Sequence, residues 1–125
     1  MKRISIVSVV FAAITLGFAM SNVFGADDEE KKPAHTIKEV MKVGHKDGLL
    51  KKVIGGDASQ DEKKKLLDLY ISMLEGKPKK GDNGSWQKLA GGAALAAAKV
   101  VVGRDGAADE LKVATNCKAC HSVHK

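Results

Sequence analysis

Four stretches of the chain repeat apolar residues every three or four positions, the pattern of amphipathic α-helices. In the first, the apolar stripe shifts around the helix near Gly48, where we expect a bend. No segment shows the strict alternation of a β-strand. The pattern therefore predicts an all-α protein, an antiparallel four-helix bundle with short loops. The four predicted helices comprise residues 34–53, 59–75, 85–102 and the segment from a turn at 103–106 to the end of the chain.

Local signals support the ends of these helices. Ser59 and Glu62 have the spacing of a capping box, which begins the second helix. The loop before the third helix, residues 76–84, contains Pro78 and Gly81. We expect two apolar faces to form the core. They comprise Leu66, Leu67, Leu69, Tyr70, Met73 and Leu74 in the second helix, and Trp86, Leu89, Ala90, Ala93, Ala97 and Val100 in the third.

The beginning of the chain has the features of a secretory signal peptide. Lys2 and Arg3 precede an apolar run at 4–20, and small or tolerated residues at 23–25 suit cleavage after Gly25. The alternative is an uncleaved membrane anchor, although the run of about 17 residues lies at the low end for a span. We therefore expect a periplasmic or otherwise exported protein with a signal peptide at 1–25, a disordered lead-in at 26–33 and one helical domain at 34–125.

The composition of the domain is poor in aromatic residues. All three phenylalanines lie within residues 1–25, which leaves Trp86 and Tyr70 as the only aromatic side chains of the mature chain, apart from histidines. Aromatic residues normally dominate core burial, and the third helix is mostly alanine. The core therefore looks underfilled, and a bound cofactor would fill it.

Charge and motifs exclude several classes of function. Loss of Lys2 and Arg3 with the signal peptide lowers the formal charge from +6 to +4. The remaining net positive charge is small, and its basic residues are dispersed along the chain. The chain has no glycine-rich phosphate loop, no Ser/His/Asp arrangement and no nucleic-acid motif. We expect neither an enzyme nor a nucleic-acid partner, and no membrane association after cleavage.

The most specific motif lies at the end of the chain, at Cys117, Cys120 and His121. Cys-x-x-Cys-His is the attachment motif of c-type haem. On a helix, positions i, i+3 and i+4 project from one face, so one turn can bind a macrocycle through two thiols and ligate its iron through the imidazole. These are the only cysteines in the chain. The motif predicts one covalent haem c on the C-terminal helix, and export agrees with it.

The same residues have alternative uses. A thioredoxin-like dithiol belongs at the start of a helix after a strand, a context that the sequence lacks. A zinc site needs three or four protein ligands, and His124, His35 or His45 would have to complete it.

On the predicted fourth helix the motif shares one arc with further residues. That inward arc comprises Val113, Ala114, Cys117, Cys120, His121 and His124, with Lys112, Lys118 and Lys125 outside it.

With these features the chain resembles the cytochrome c prime family, which includes low-spin relatives with a methionine sixth ligand. The shared features are the signal peptide, the four helices, Pro78 and Gly81 followed by Trp86 before the third helix, and the motif in the last turns. Mitochondrial-type cytochromes c have the opposite order, with the motif early and the methionine late. The resemblance implies that His121 is the proximal ligand and that the first helix faces the distal side.

The sequence does not decide which side chain, if any, is the distal ligand of the iron. Met41 lies centrally on the inward stripe of the first helix, and we expect it to be the sixth iron ligand. His45, one turn later, and an open five-coordinate iron are the alternatives. Family members often have an arginine near a haem propionate, and Lys38 or Lys42 would replace it here. We expect His35 to be exposed and His124 to serve only in packing.

These expectations lead to two classes of function. The first is an exported protein that transfers single electrons between redox partner proteins. These partners would dock near the haem edge, aided by Lys118 and Lys125. The second is a five-coordinate haem protein that binds nitric oxide or carbon monoxide as a sensor or scavenger. A homodimer is compatible with either.

Overall fold

The computed structural model describes residues 32–125, so the predicted signal peptide and most of the lead-in lie outside the described residues. Within the described part every regular element is helical and no strand is present, which confirms the all-α expectation. Its helices are α1 (Ile37–Glu39), continued by a π-helical segment (Val40–Lys46), then α2 (Leu49–Ile54), α3 (Gln60–Glu75), α4 (Asn83–Val101), α5 (Ala107–Ala114) and α6 (Cys117–His124). In residues 32–125, no helix has both the length and the apolar character needed to cross a bilayer.

The predicted capping box at the start of α3 is present. The Ser59 hydroxyl accepts a hydrogen bond from the Glu62 amide, and the Glu62 carboxylate accepts one from the Ser59 amide at 2.8 Å. A second capping box, which the sequence interpretation missed, joins Thr36 and Glu39 at the start of α1. Each box satisfies amide donors that a helix N-terminus otherwise leaves unpaired.

The first predicted helix bends where expected but also contains a π turn. Gly48 has φ of +87°, and this left-handed conformation separates the π-helical segment from α2. The Asp47 amide donates to the Lys42 carbonyl at 2.8 Å, the five-residue spacing of a π turn. Val40 and Gly44 are buried, and Met41 is partly buried. The inward stripe is therefore correct, although the periodicity gave no indication of the wider turn.

The core lies mainly between α3 and α4. The predicted inward faces are confirmed, although Leu67, Leu74 and Leu89 are only partly buried. The indole nitrogen of Trp86 donates to the carbonyls of Met73 at 3.2 Å and Gly76 at 3.0 Å. These bonds join the start of α4 to the end of α3.

The prediction of one continuous fourth helix is wrong. α5 ends at Ala114 and α6 begins at Cys117. The Thr115 hydroxyl donates to the Leu111 carbonyl at 2.6 Å, and the Asn116 side chain caps α6 by accepting from two amides. Short polar side chains of this kind compete with the helix for backbone partners. Val113, expected on the inward arc, lines the cavity between the helices but is 77% exposed.

Substitutions at Gly44 test the close approach of the π-helical segment to α3. A Cβ at this position would lie 3.7 Å from Leu66 Cδ1 and 3.9 Å from Leu69 Cδ1, which is ordinary contact. Gly44→Ala should therefore raise the free energy of unfolding by about 0.5–1 kcal/mol, because glycine is costly within a helix. Gly44→Leu should lower it by about 1–3 kcal/mol through overpacking. Chemical unfolding followed by circular dichroism measures both, and a leucine variant as stable as the wild type would contradict the packing.

Candidate cofactor-binding site

A cavity of about 410 Å³ opens between the π-helical segment, α3, α4 and the α5–α6 region. Its volume lies within the range of small-molecule and cofactor pockets, about 300–1,000 Å³. Its walls are largely apolar, with contributions from Met73 and from the alanines and glycine of α4. The charged side chains of the lining are Lys46 and Lys88, and no carboxylate belongs to it.

The cavity brings together the predicted attachment residues and both candidate sixth ligands. Met41 and His45 line it from the π-helical segment. Cys117, Cys120 and His121 line it from α6, more than seventy positions later in the chain. The two groups of candidate ligands therefore face one shared space.

The attachment motif occupies the first turns of α6. Cys117 is the first residue of the helix and is exposed, while Cys120 is partly buried, and both thiols are free. Burial raises the pKa of the Cys120 thiol, and the neighbouring Cys117 raises it further. Since α6 is helical from Cys117 onwards, the two thiols and the His121 imidazole have the expected i, i+3 and i+4 relation.

His45 has a partner in the cavity that the sequence interpretation missed. The Tyr70 hydroxyl and the Nε2 atom of His45 are 3.2 Å apart, and the two ring centroids are 5.8 Å apart. Burial lowers the pKa of His45, and the nearby His121 lowers it further. Burial likewise raises the pKa of Tyr70. Both shifts favour the neutral forms. Tyr70 was predicted only as a core residue, and no sequence signal connects it with a histidine 25 positions away.

His124 does not line the cavity but holds the end of α6 in place. It is only 8% exposed. Its Nδ1 atom lies 2.9 Å from the Lys80 carbonyl oxygen, and its Nε2 atom lies 3.2 Å from the Ser85 hydroxyl. Its ring also contacts the Trp86 ring edge-on, with centroids 5.3 Å apart. The expected packing role is present, whereas the expected position on the motif's inward arc is not.

Gly81 makes this arrangement possible. Its φ is +88°, and a Cβ built there would lie 2.4 Å from Nδ1 of His124. The position therefore requires glycine twice, once for its backbone conformation and once for the space that the imidazole occupies. The sequence interpretation placed Gly81 and Trp86 in the resemblance without foreseeing that His124 connects them.

The remaining predicted residues lie outside the cavity. His35 is partly buried rather than exposed, and its Nε2 atom lies 3.1 Å from a carboxylate oxygen of Asp68. Lys38 and Lys42 do not line the cavity, and Lys42 forms an ion pair with Asp47 at 3.2 Å. The lysines that do line it, Lys46 and Lys88, replace them as candidates for pairing with an anionic group.

The zinc interpretation gains no geometric support. Within residues 32–125, no group of three or more histidine, cysteine, aspartate or glutamate side chains is arranged to hold a metal ion.

Comparisons with protein-family models, curated proteins and solved structures gave no match. The motif and the geometry of the cavity are therefore the observations that bear on function.

Replacement of Gly81 tests the attachment of α6 through His124. Gly56 is the matched control, because its φ is +83° and nothing lies within 4 Å of its Cβ position. Gly56→Ala should cost only backbone strain. Gly81→Ala should cost about 1–3 kcal/mol more, because the new methyl group displaces the imidazole. Chemical unfolding measures the difference.

Amide hydrogen exchange tests the attachment of α6 locally. Exchange at residues 117–125 should be faster in Gly81→Ala than in Gly56→Ala, because α6 loses its anchor. Equal stability and equal exchange in the two variants would show that His124 does not hold the helix.

Proposed function

We propose that this chain is an exported, periplasmic c-type cytochrome that carries one covalent haem in the cavity and transfers single electrons between redox proteins. The observation that carries the proposal is the convergence of Met41 and His45 with Cys117, Cys120 and His121 around one apolar space. A motif that matched by chance would have no reason to lie on such a cavity, opposite a thioether and an imidazole.

The lining suits the chemistry of a haem. A porphyrin is a largely apolar macrocycle with two carboxylate groups, and the cavity has apolar walls with Lys46 and Lys88 as its charged groups. The absence of carboxylates from the lining avoids repulsion of the propionates. The thiols and the imidazole are the donors that covalent attachment and proximal ligation need.

Each residue then has a defined task. Cys117 and Cys120 would bind the macrocycle through thioether bonds, and His121 would ligate the iron. The bound group would supply reversible one-electron oxidation and reduction. The chain itself binds and orients that group and limits access of water through the walls of α3 and α4. None of the cavity residues is called on to break a substrate bond, so we propose a carrier rather than an enzyme.

Met41 is the sixth ligand that we propose. It lines the cavity, and a thioether opposite a histidine raises the reduction potential of haem iron. The Nε2 atom of its rival, His45, is already engaged by the Tyr70 hydroxyl. That engagement favours Met41 over His45, whereas the sequence alone left the two open.

The fold that goes with this proposal is the four-helix arrangement of the cytochrome c prime family. α1, the π-helical segment and α2 would count as its first helix, broken at Gly48, and α5 with α6 as its fourth, broken at Thr115 and Asn116. α3 and α4 would be the second and third. Two internal breaks thus account for the larger number of helices observed.

A gas-binding protein with five-coordinate iron is the second candidate. The Tyr70–His45 pair favours it, because polar hydrogen-bonding groups in a distal pocket stabilise bound diatomic ligands.

For electron transfer, the partners would be redox proteins with acidic surfaces. Lys118 and Lys125 are exposed on and beside the motif helix and would attract them.

Mass spectrometry of the exported protein tests covalent attachment. Under denaturing conditions the wild type should have the mass of the mature chain plus one haem. Cys117→Ser combined with Cys120→Ser should lack it, because both thioether bonds are lost, and Ser122→Ala should keep it as a control. Haem that acidified organic solvent extracts from the wild type would contradict the proposal.

Optical spectra test the sixth ligand. The ferric wild type should be low-spin, with the weak far-red charge-transfer band of a sulfur–iron bond. Met41→Ala should abolish this band and make the ferrous iron reactive with carbon monoxide, because the coordination position opens. His45→Ala should keep the band.

Two results would redirect the proposal. Loss of low-spin character in His45→Ala alone would transfer the ligand role to His45. A wild type that is high-spin and already binds carbon monoxide would favour the gas-binding candidate.

A further inference from the structure

We infer that Tyr70 selects the sixth iron ligand, because its hydroxyl holds the His45 imidazole and leaves Met41 as the side chain free to ligate. The inference rests on the proposed haem site and adds a residue that the motif does not contain.

The π-helical segment creates a competition that needs such a selection. Met41 and His45 lie four positions apart on it, and both line the same cavity. Imidazole and thioether are both ordinary ligands of haem iron. Without a restraint on His45, the cavity would offer the iron two candidates from one helical turn.

With the Tyr70 hydroxyl as its donor, the hydrogen bond removes one candidate. A neutral imidazole has one nitrogen that carries a proton and one with a free lone pair. If the Tyr70 hydroxyl donates to Nε2 of His45, that lone pair is used and Nδ1 carries the proton. Neither nitrogen is then available to a metal. The methionine sulfur is under no such restraint.

Burial favours the protonation states that this arrangement needs. Tyr70 is fully buried, and burial raises the pKa of its hydroxyl, so it keeps the proton that it donates. Burial also lowers the pKa of His45, so the imidazole stays neutral and can accept. The two directions agree, although the selection itself depends on the 3.2 Å contact rather than on either titration.

Packing keeps Tyr70 in position to act. Its ring lies in the core between α3 and the π-helical segment, where Gly44 lets the two approach. A Cβ at Gly44 would be 4.0 Å from Tyr70 Cε1. With no exposed surface, the tyrosine side chain cannot turn away from His45 without opening the core.

The test uses Tyr70→Phe in the exported, haem-loaded protein. This variant keeps the ring and removes only the hydroxyl. We expect His45 to replace Met41 on the iron, with loss of the sulfur–iron band, retention of low-spin character and a lower reduction potential, since imidazole replaces thioether. Adding His45→Phe to Tyr70→Phe should restore the band, because the competing imidazole is gone. His45→Phe alone should keep it.

The outcomes separate this inference from the proposed function. Covalent haem is checked by mass in every sample first, and a wild type without it would refute the proposed function itself. With haem attached, a band that persists in Tyr70→Phe would overturn the selection. A band that is lost but not restored in the double variant would do the same, because Tyr70 would then act through packing alone.

A measurement on the wild type covers the case in which Tyr70→Phe fails to fold. Nitrogen-15 spectra of the diamagnetic ferrous protein report the state of each imidazole nitrogen. We expect His45 to be neutral, with the proton on Nδ1 and an unprotonated Nε2 that is not bound to iron. A protonated or iron-bound Nε2 would overturn the inference.

Discussion

The Trp86 indole is the contact on which the rest of the structure depends. Its nitrogen bonds to the carbonyls of Met73 and Gly76 and so fixes the start of α4 against the end of α3. Its ring contacts His124 and so fixes the end of α6 against the same place. The cavity lies between these elements. One side chain therefore contacts both the α3 side of the cavity and the helix that carries the Cys-x-x-Cys-His motif.

A second constraint comes from small residues rather than large ones. The alanines of α4 and Gly44 of the π-helical segment let helices approach closely without interlocking large side chains. Close approach at these points leaves space elsewhere, because a chain with so few aromatic residues cannot fill every gap between its helices. The cavity is the result. The expectation of an underfilled core, drawn from composition, thus has a physical counterpart in the folded chain.

The features that the sequence predicted correctly are set by residues close together in the chain. The capping box at Ser59, the bend at Gly48 and the apolar faces of α3 and α4 follow from spacings of two to four residues. The attachment motif is equally local. The Tyr70–His45 and Gly81–His124 contacts join residues 25 and 43 positions apart, and no pattern encodes them. The break after Ala114 had a local signal in Thr115 and Asn116, but the apolar periodicity across it concealed the break.

The division between α5 and α6 places the two cysteines on a short helix of their own, from which Cys120 packs against the core. Both thiols belong to an eight-residue helix that has its own cap at Asn116 and its own anchor at His124. Neither cysteine belongs to the buried interface of α3 and α4. If a haem is attached as proposed, the bonds to the thiols and the packing of α3 against α4 would therefore involve different helices of the chain.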